Sequence, residues 1–301
     1  MNGIINVYKE QGFTSHDVVA KLRGILHTKK IGHTGTLDPM AEGVLPVCVG
    51  SATKLCDMIT DHDKEYEAVM ILGKTYDTLD VTGELLTEYE VMSTQEYIKA
   101  AIDRFVGGYE QTPPMYSAKK VDGKKLYELA RSGVTVERKS TFVKIDSIDI
   151  LSVDIPHVTI RVHCGRGTYI RSLIDDIGKV LVSGAAMEKL TRTRVGEYTA
   201  DKAFRLSDIE KAMAENKISD VITGLETIFA DIERVDTKAG LAKLLRNGNV
   251  ISGKEVRAVA PALNNAPEGT KVRMYDADGT FTGVYEYKIS GDIYKPFKMF
   301  L

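Results

Sequence analysis

The spacing of apolar residues along the chain predicts helices and strands that do not alternate regularly. In residues 15–27 apolar side chains recur at helical intervals after Thr14 or Ser15, either of which can cap the helix. Residues 64–72 alternate polar and apolar positions and then become apolar, which is typical of a strand. Residues 168–181 carry one continuous apolar stripe, which predicts a strongly amphipathic helix.

Weaker patterns predict the remaining elements. Short helices are predicted at 51–59 and 126–131, and another helix at 237–245. A capping box at 93–96 predicts the start of a helix that runs to about residue 105. Residues 141–151 and 156–164 are predicted to form a pair of strands. After about residue 230, short strands are separated by Gly-containing turns, which is typical of a small β-rich domain. We therefore predict an α+β fold with a large domain at 1–230 and a small β-rich domain at 235–301.

Composition argues against several classes of protein. We find no run of eighteen apolar residues and no apolar signal region, so we expect neither a membrane protein nor a secreted one. The three cysteines, Cys48, Cys56 and Cys164, contain no C-x-x-C pair. This pattern favours reduced thiols in the cytoplasm over a disulfide framework or a structural zinc.

Charge is nearly balanced over the whole chain and uneven along it. The formal net charge is −2, yet residues 57–103 hold twelve acids against three bases. Residues 117–144 hold eight bases against three acids, and residues 161–194 hold seven against three. A polyanion responds to the local field, so the two basic stretches make nucleic acid a candidate partner.

The stretch GHTGTLDP (32–39) suits neither a helix nor a strand, and it contains a carboxylate. Pro39 restricts the backbone of Asp38 to extended dihedrals. Taken alone, an Asp-Pro pair is most often a turn whose carboxylate accepts a backbone hydrogen bond. The alternative is a carboxylate displayed on a loop as a nucleophile or general base.

A carboxylate held in a pocket needs a cationic partner, because desolvation otherwise favours the neutral acid. The stretch CGRGTYIRSL (164–173) leads into the amphipathic helix and places Arg171 off its apolar stripe. The planar guanidinium fits a carboxylate and keeps its proton. The other possibility is a surface ion pair between Arg171 and Asp175, four residues along the same helix.

Taken together, these segments resemble the bacterial tRNA pseudouridine synthases of the TruB family, which act on uridine 55 of the T-loop. The segments that carry the resemblance, in the family's order, are GHTGTLDPMAEGVL (32–45) for the active-site motif, KEYEA (64–68) for the second motif, 111–119 and 123–131 for the central insert, 164–173 for the third motif and 190–193 for the fourth. The match extends over residues 3–198. The C-terminal part is similar, more loosely, to the RNA-binding PUA-like barrel that many members carry.

The resemblance implies a mixed, largely antiparallel sheet with flanking helices, a central RNA-binding insert at about 106–140, and a PUA-like barrel. It implies isomerisation of uridine to pseudouridine with no cofactor and no metal, and a tRNA T-arm stem-loop as partner. No membrane or protein partner is expected. The basic residues would follow the RNA backbone, and the acidic stretch at 57–103 would lie mainly on the far face. The candidates for backbone contacts are Lys119, Lys124, Arg131, Arg166 and Arg192.

The resemblance also assigns roles at the reaction centre. Asp38 is the nucleophile, acting either on the ribose carbon or on its 2′ proton, and Arg171 keeps it ionised and aimed. Tyr66 stacks on the flipped base and offers a route for the C5 proton. The other substrate contacts are His33, which fills the space that the uridine leaves, Tyr169, and Leu190 as an apolar wall.

Two other functions are compatible with some of these residues. A retaining glycoside hydrolase also uses a carboxylate against an anomeric carbon, but it needs a second carboxylate about 5 Å away, and no motif supplies one. A non-catalytic protein that binds the tRNA T-arm would keep the RNA contacts, and the retention of Asp38, Arg171 and Tyr66 argues against it.

Overall fold

The computed structural model describes residues 1–121 and 123–301, so residue 122 of the predicted insert lies outside the described chain. The α-helices are α1 (Ser15–Ile25), α2 (Cys56–Thr60), α3 (Gln95–Asp103), α4 (Leu126–Arg131), α5 (Ile170–Val180), α6 (Leu206–Ala214), α7 (Leu225–Ile228), α8 (Ala242–Arg246) and α9 (Gly253–Val259). The strands are β1 (Gly3–Lys9), β2 (Ile31–His33), β3 (Glu42–Val49), β4 (Lys64–Leu72), β5 (Lys74–Tyr76), β6 (Leu85–Glu88), β7 (Tyr109–Gln111), β8 (Lys120–Val121), β9 (Lys124–Lys125), β10 (Thr141–Val143), β11 (Ile145–Asp154), β12 (His157–Cys164), β13 (Ala185–Val195), β14 (Tyr198–Thr199), β15 (Ile222–Gly224), β16 (Glu233–Asp236), β17 (Ile251–Ser252), β18 (Lys271–Tyr275), β19 (Phe281–Lys288) and β20 (Ile293–Met299).

A central mixed sheet organises the first part of the chain. Its strand order is β11-β12-β4-β13-β3-β1-β15, with β2 paired to β3 and β14 paired to β13. The pairing of β13 with β3 is parallel, and the other pairings along this path are antiparallel. This is the mixed, largely antiparallel sheet that the resemblance implied.

Most of the predicted elements are confirmed. The strand at 64–72 is β4, and Thr14 caps α1 with a reciprocal bond to Asp17. The predicted capping box is displaced, because Thr94 rather than Ser93 caps α3 through the amide of Tyr97. The predicted short helix at 51–59 is a 3-10 turn that continues into α2. The first difference is a shift of one residue, and in the second a 3-10 turn replaces the first half of the predicted helix.

The inward face of the central sheet packs against α3 and α5. Alternate residues of β4 and β12 are buried, as the period-2 pattern requires, and they meet the apolar stripe of α5 in one core. A second core joins α1 and α6 to β1 and β3. The loop between β2 and β3 therefore lies between two packed bodies.

The C-terminal strands form a five-stranded sheet in the order β16-β18-β19-β20-β17. This arrangement fits a PUA-like half-barrel, in agreement with the predicted β-rich unit. The sheet has its own core, and it shares a second one with the first part of the chain through Val284 and Phe300. The domain boundaries at 230 and 235 stay predictions. In the described part of the chain, no helix combines the length and the apolar character needed to cross a membrane.

Candidate active site

The loop between β2 and β3 is held in place along its length. Leu37 is buried in the main core, and its amide donates to the hydroxyl of Ser15 at 2.9 Å. The hydroxyl of Thr60 donates to the carbonyl of Thr34 at 2.9 Å. At the other end, the buried Lys9 donates Nζ–H to the carbonyl of Pro39 at 3.5 Å. The loop therefore presents Asp38 from a fixed backbone.

Arg171 forms an ion pair with Asp38, as predicted. Its Nη2 lies 2.9 Å from Oδ2 of Asp38, although Arg171 comes from the first turn of α5, far along the chain. The alternative pairing is not what the structure shows, because Asp175 pairs with Lys179 at 2.7 Å. Arg171 is 6% exposed and the Asp38 side chain is 36% exposed, so the arginine is buried behind a carboxylate that solvent can reach.

The guanidinium of Arg171 is fixed on three further sides. Nη2 donates to the carbonyl of Tyr116 at 2.7 Å, and Nη1 donates to the carbonyl of Thr78 at 2.9 Å. Nη1 also lies 3.5 Å from Oδ2 of Asp80. Because these acceptors surround the guanidinium, they fix its orientation, and in that orientation Nη2 faces the carboxylate of Asp38.

Asp80 is the residue that sequence reasoning missed. It is 4% exposed, and its Oδ1 accepts bonds from Thr78 and from the amide and hydroxyl of Thr82. Its own stretch was expected on the far face of the molecule, and that expectation is wrong at this point. The D-x-T spacing of Asp80 and Thr82 is a turn signal that the sequence did contain.

Electrostatics at Asp38 are set by opposing influences. Burial raises the pKa of the Asp38 carboxyl above its ordinary value, and the nearby Asp80 raises it further. The guanidinium of Arg171 opposes the rise by stabilising the carboxylate. Arg171 therefore limits the protonation that burial alone would cause.

A pocket of about 590 Å³ opens beside this pair. Tyr66 and Leu190 line it from the neighbouring strands β4 and β13, and each is 8% exposed. Tyr169, the N-cap residue of α5, also lines the pocket. Its backbone amide donates to Oε1 of Gln111 at 2.8 Å, and its carbonyl accepts from Nε2 of Gln111 at 3.0 Å. Burial raises the pKa of both tyrosine hydroxyls, which keeps them protonated. Two aromatic rings and an aliphatic wall give a slot suited to a flat base.

A second pocket of about 580 Å³ lies on the other side of the ion pair. Asp38 and Arg171 line both pockets, and the second is also lined by Tyr127 and Arg131 of α4. The guanidinium carbon of Arg131 lies 5.6 Å from the centre of the Tyr127 ring, a cation–π contact. The predicted insert thus borders the reaction centre.

His33 lies outside the linings of both pockets. Its ring makes an edge contact with the ring of His16 at 5.4 Å, and its Nδ1 accepts the amide of Gly35 at 3.3 Å. Burial lowers the pKa of His33, which favours the neutral ring. Its predicted contact with RNA stays a prediction.

The basic candidates occupy different environments. Lys119 and Arg166 line the first pocket, and Arg166 pairs with the exposed Asp61. Lys124 is exposed in the β8–β9 hairpin. Lys119, Arg131 and Arg166 therefore line the pockets at the ion pair, whereas Lys124 lines neither pocket.

The prediction for Arg192 needs correction. Its side chain is 2% exposed, and Nε donates to the carbonyl of Val44 at 2.7 Å. Nη2 donates to the carbonyl of Gly35 at 3.4 Å. This arginine supports the wall of the pocket and the backbone of the loop, so it is not placed to track a phosphate chain. Spacing alone could not separate it from its exposed neighbours.

Lys64 is a further buried cation in the pocket lining that sequence reasoning gave no role. It is 7% exposed, and Nζ donates to the carbonyls of Thr60 and His62 at 2.6 and 2.5 Å. Burial lowers the pKa of Lys64 to about 8. Among the described residues, no group of three or more His, Cys, Asp or Glu side chains is arranged to hold a metal ion.

Comparison with known families identifies two matching regions. Residues 23–170 match the N-terminal domain of TruB family pseudouridylate synthases, and residues 171–230 match the tRNA pseudouridylate synthase B C-terminal domain. The chain is 50% identical to tRNA pseudouridine synthase B of Lachnoclostridium phytofermentans, with 100% of both chains covered. It is 41% identical to the protein of the same name from Clostridium acetobutylicum, over 94% of this chain and 95% of that one.

Two solved structures of multi-component complexes contain a chain with a similar fold. A chain in a Cbf5-Nop10-Gar1 complex is 25% identical, with a TM-score of 0.70, and the match covers 99% of this chain and 85% of that one. A chain in an H/ACA RNP bound to a substrate RNA containing 2′-deoxyuridine is 24% identical, with a TM-score of 0.69 over the same shares. The likeness to this second chain shows that the two proteins share a fold.

Proposed function

We propose, since this chain belongs to the TruB family of pseudouridylate synthases, that it converts uridine to pseudouridine at position 55 in the T-arm of tRNA. The observation that supports this most is the 2.9 Å ion pair of Asp38 and Arg171 beside a pocket walled by Tyr66, Tyr169 and Leu190. A half-buried carboxylate, held by an arginine next to a base-sized slot, is what cleavage of a nucleoside glycosidic bond requires.

The target base has to leave the RNA stack to enter the pocket. Tyr66 stacks on the base and Leu190 closes its other side, while Tyr169 borders the ribose. The bond between N1 and C1′ breaks, the base turns, and a bond between C5 and C1′ forms. Asp38 acts either as the nucleophile on the sugar or as the base that removes its 2′ proton.

Arg171 has a positioning role in this scheme. Its contacts with Tyr116, Thr78 and Asp80 fix the guanidinium before substrate arrives. Preorganised charge of this kind lowers the barrier because no reorganisation is needed during the reaction. The ion pair also keeps Asp38 available as the anion despite its burial.

RNA backbone contacts are proposed for Lys119, Arg131 and Arg166 around the two pockets, and for Lys124 at the hairpin tip. The positions of Lys119, Arg131 and Arg166 in the two pockets that flank Asp38 suit an RNA strand that crosses the cleft. Contacts of this type position the substrate and do not read its sequence.

The structure gives no support to the glycoside hydrolase alternative. A second carboxylate, Asp80, does lie near Asp38, but its Oδ1 is occupied by Thr78 and Thr82 and its Oδ2 faces Arg171. A general acid needs a proton and access to the leaving group. Asp80 is 4% exposed and enclosed by the groups that bond it, so it has no access to a leaving group.

Release of tritium from 5-tritiated uridine in a T-arm transcript tests the proposal. Native protein should release tritium, and Asp38→Asn should bind the transcript but release none, because the amide cannot replace the carboxylate. The matched control is a transcript with cytidine at position 55, which should give no product there. Absence of release by native protein would refute the enzymatic proposal, and binding without turnover would favour a T-arm binding protein.

A further inference from the structure

Two of the three cysteines meet beneath the strand that carries His33. Cys48 of β3 lies directly opposite Gly32 of β2 in the antiparallel register, so its side chain is on the face where a side chain at position 32 would be. A Cβ at Gly32 would lie 3.1 Å from Sγ of Cys56. Glycine at this position therefore leaves space for both thiols, and the two cysteines pack in the same buried cluster.

The two thiols differ in access and acidity. Cys48 is fully buried, whereas Cys56 is half-buried. The hydrogen bond from the Cys48 thiol lowers the pKa of Cys56, and the same bond together with burial raises the pKa of Cys48. Since the thiolate is the reactive form, Cys56 is the attacking sulfur and Cys48 is placed to attack next.

The thiol pair is connected to the Asp38 loop by one side chain. The hydroxyl of Thr60, in α2, donates to the carbonyl of Cys56 at 2.7 Å and to the carbonyl of Thr34 at 2.9 Å. A change at Cys56 therefore reaches Thr34, between His33 and Asp38, through the hydroxyl of Thr60 that bonds both carbonyls. Gly32 connects the pair to the same segment through the backbone of β2.

We propose that Cys48 and Cys56 are a disulfide-forming pair that reacts with hydroperoxides, and that closing the disulfide disturbs the support of the Asp38 loop. The Cys56 thiolate attacks one oxygen of hydrogen peroxide, which breaks the O–O bond, gives a sulfenic acid and releases hydroxide. The Cys48 thiol then attacks the sulfenic sulfur, and water leaves as the S–S bond forms. The two thiols lose two electrons and two protons, and peroxide is reduced to two waters.

Mass spectrometry of the full chain after treatment with hydrogen peroxide tests the reaction. We expect the number of free thiols to fall from three to one, with a mass loss of two hydrogen atoms that dithiothreitol reverses. Peptide mapping should join Cys48 to Cys56. Methionine sulfoxides add oxygen and survive dithiothreitol, so they are distinguished in the same spectrum.

Three variants control this measurement. Cys48→Ala and Cys56→Ala should each form no disulfide, whereas Cys164→Ala should form it as the native chain does. Three free thiols after peroxide, or a disulfide that contains Cys164 or joins two chains, would overturn the assignment.

The effect on the loop rests on the proposed function, and tritium release measures it. Oxidised protein should release tritium more slowly than reduced protein, dithiothreitol should restore the rate, and peroxide should leave the rate of Cys56→Ala unchanged. A disulfide that forms without changing the rate would refute the connection to the loop. If the reduced protein releases no tritium, the proposed function fails, and the mass measurement still decides the thiol chemistry.

Discussion

At the scale of single residues, the site depends on one arginine that serves two carboxylates. Arg171 bonds Asp38 at 2.9 Å and lies 3.5 Å from Asp80. The sequence indicated the first contact, because the motif supplied a carboxylate that needs a cation. It did not indicate the second, because Asp80 lies in an acidic stretch whose local pattern predicts solvent exposure.

The acid side of the pH–rate profile should report Asp38. Its pKa is raised by burial and by Asp80, so kcat/KM should begin to fall at a pH above the ordinary aspartate value of about 3.9. Asp80→Asn removes one negative neighbour, which lowers the pKa of Asp38 and should move the acid limb to lower pH. The measurement is kcat/KM for tritium release against pH.

Asp175→Asn is the matched control for that experiment. Asp175 pairs with Lys179 on the same helix as Arg171, so its removal should leave the acid limb in place. If the pH at which kcat/KM falls on the acid side is unchanged or higher in Asp80→Asn, the assignment of this limb to Asp38 is contradicted.

At the scale of elements, the pairing of β3 with β13 places the pocket wall against the loop. Gly43 of β3 lies opposite Arg192 of β13 in a parallel pairing, and Gly43 has a φ of +108°. A Cβ at this position would lie 2.2 Å from the carbonyl oxygen of Arg192. The backbone approach therefore requires glycine.

Gly43→Ala should destabilise the fold, because it imposes both a backbone clash and a strained φ, which costs on the order of 1–3 kcal/mol for the strain alone. Gly24→Ala is the matched control, since Gly24 lies in α1 with nothing within 4 Å of the added carbon. The control should be neutral or stabilising by up to about 1 kcal/mol. Urea unfolding measures both free energies, and equal effects would contradict the clash.

At the scale of the whole molecule, the C-terminal sheet shares a core with the first part of the chain. Phe300 packs in the same cluster as Leu225 and Phe229. Nζ of Lys298 also donates to the carbonyl of Lys54 at 3.1 Å. The two parts are therefore expected to unfold together.

Phe300→Ala should lower the stability of the whole chain. Removal of a buried phenylalanine costs about 3–5 kcal/mol, and the cavity would lie in the shared core. Differential scanning calorimetry should show one transition at a lower temperature. Leu301→Ala is the control, because Leu301 is exposed and should shift the transition little. Two separate transitions, with the first part of the chain unaffected, would show that the cores are independent.

Charge distribution is also a property of the whole molecule. If Lys124 and Arg131 contact phosphates, each substitution to Ala should weaken binding of a T-arm transcript and reduce the slope of log K against log salt by roughly one. Lys99→Ala is the control, since Lys99 is exposed on α3 within the acidic stretch. Fluorescence anisotropy at several salt concentrations measures the slopes. Unchanged slopes would contradict the proposed phosphate contacts.

The sequence by itself determined the main amphipathic helices, several strands and the proposal that Asp38 and Arg171 act as a pair. Amphipathic periods fix helices such as α5 because burial of one face is a local property of the pattern. Motif order along the chain identified Asp38, Arg171 and Tyr66 as one group. The helix periods needed only residue types and their spacing, whereas the grouping of these three residues rests on the resemblance to the TruB family.

Only the tertiary structure decided which charged residues are buried and what they face. Arg192 and Arg166 are both arginines in basic stretches, yet one supports the pocket wall and the other is 64% exposed at its rim. The fold places Asp80 beside Arg171, and it brings Cys48 and Cys56 together next to Gly32. The physical reason is that burial depends on which strands become neighbours, and the pairing of β13 with both β3 and β4 is a long-range choice that no local pattern encodes.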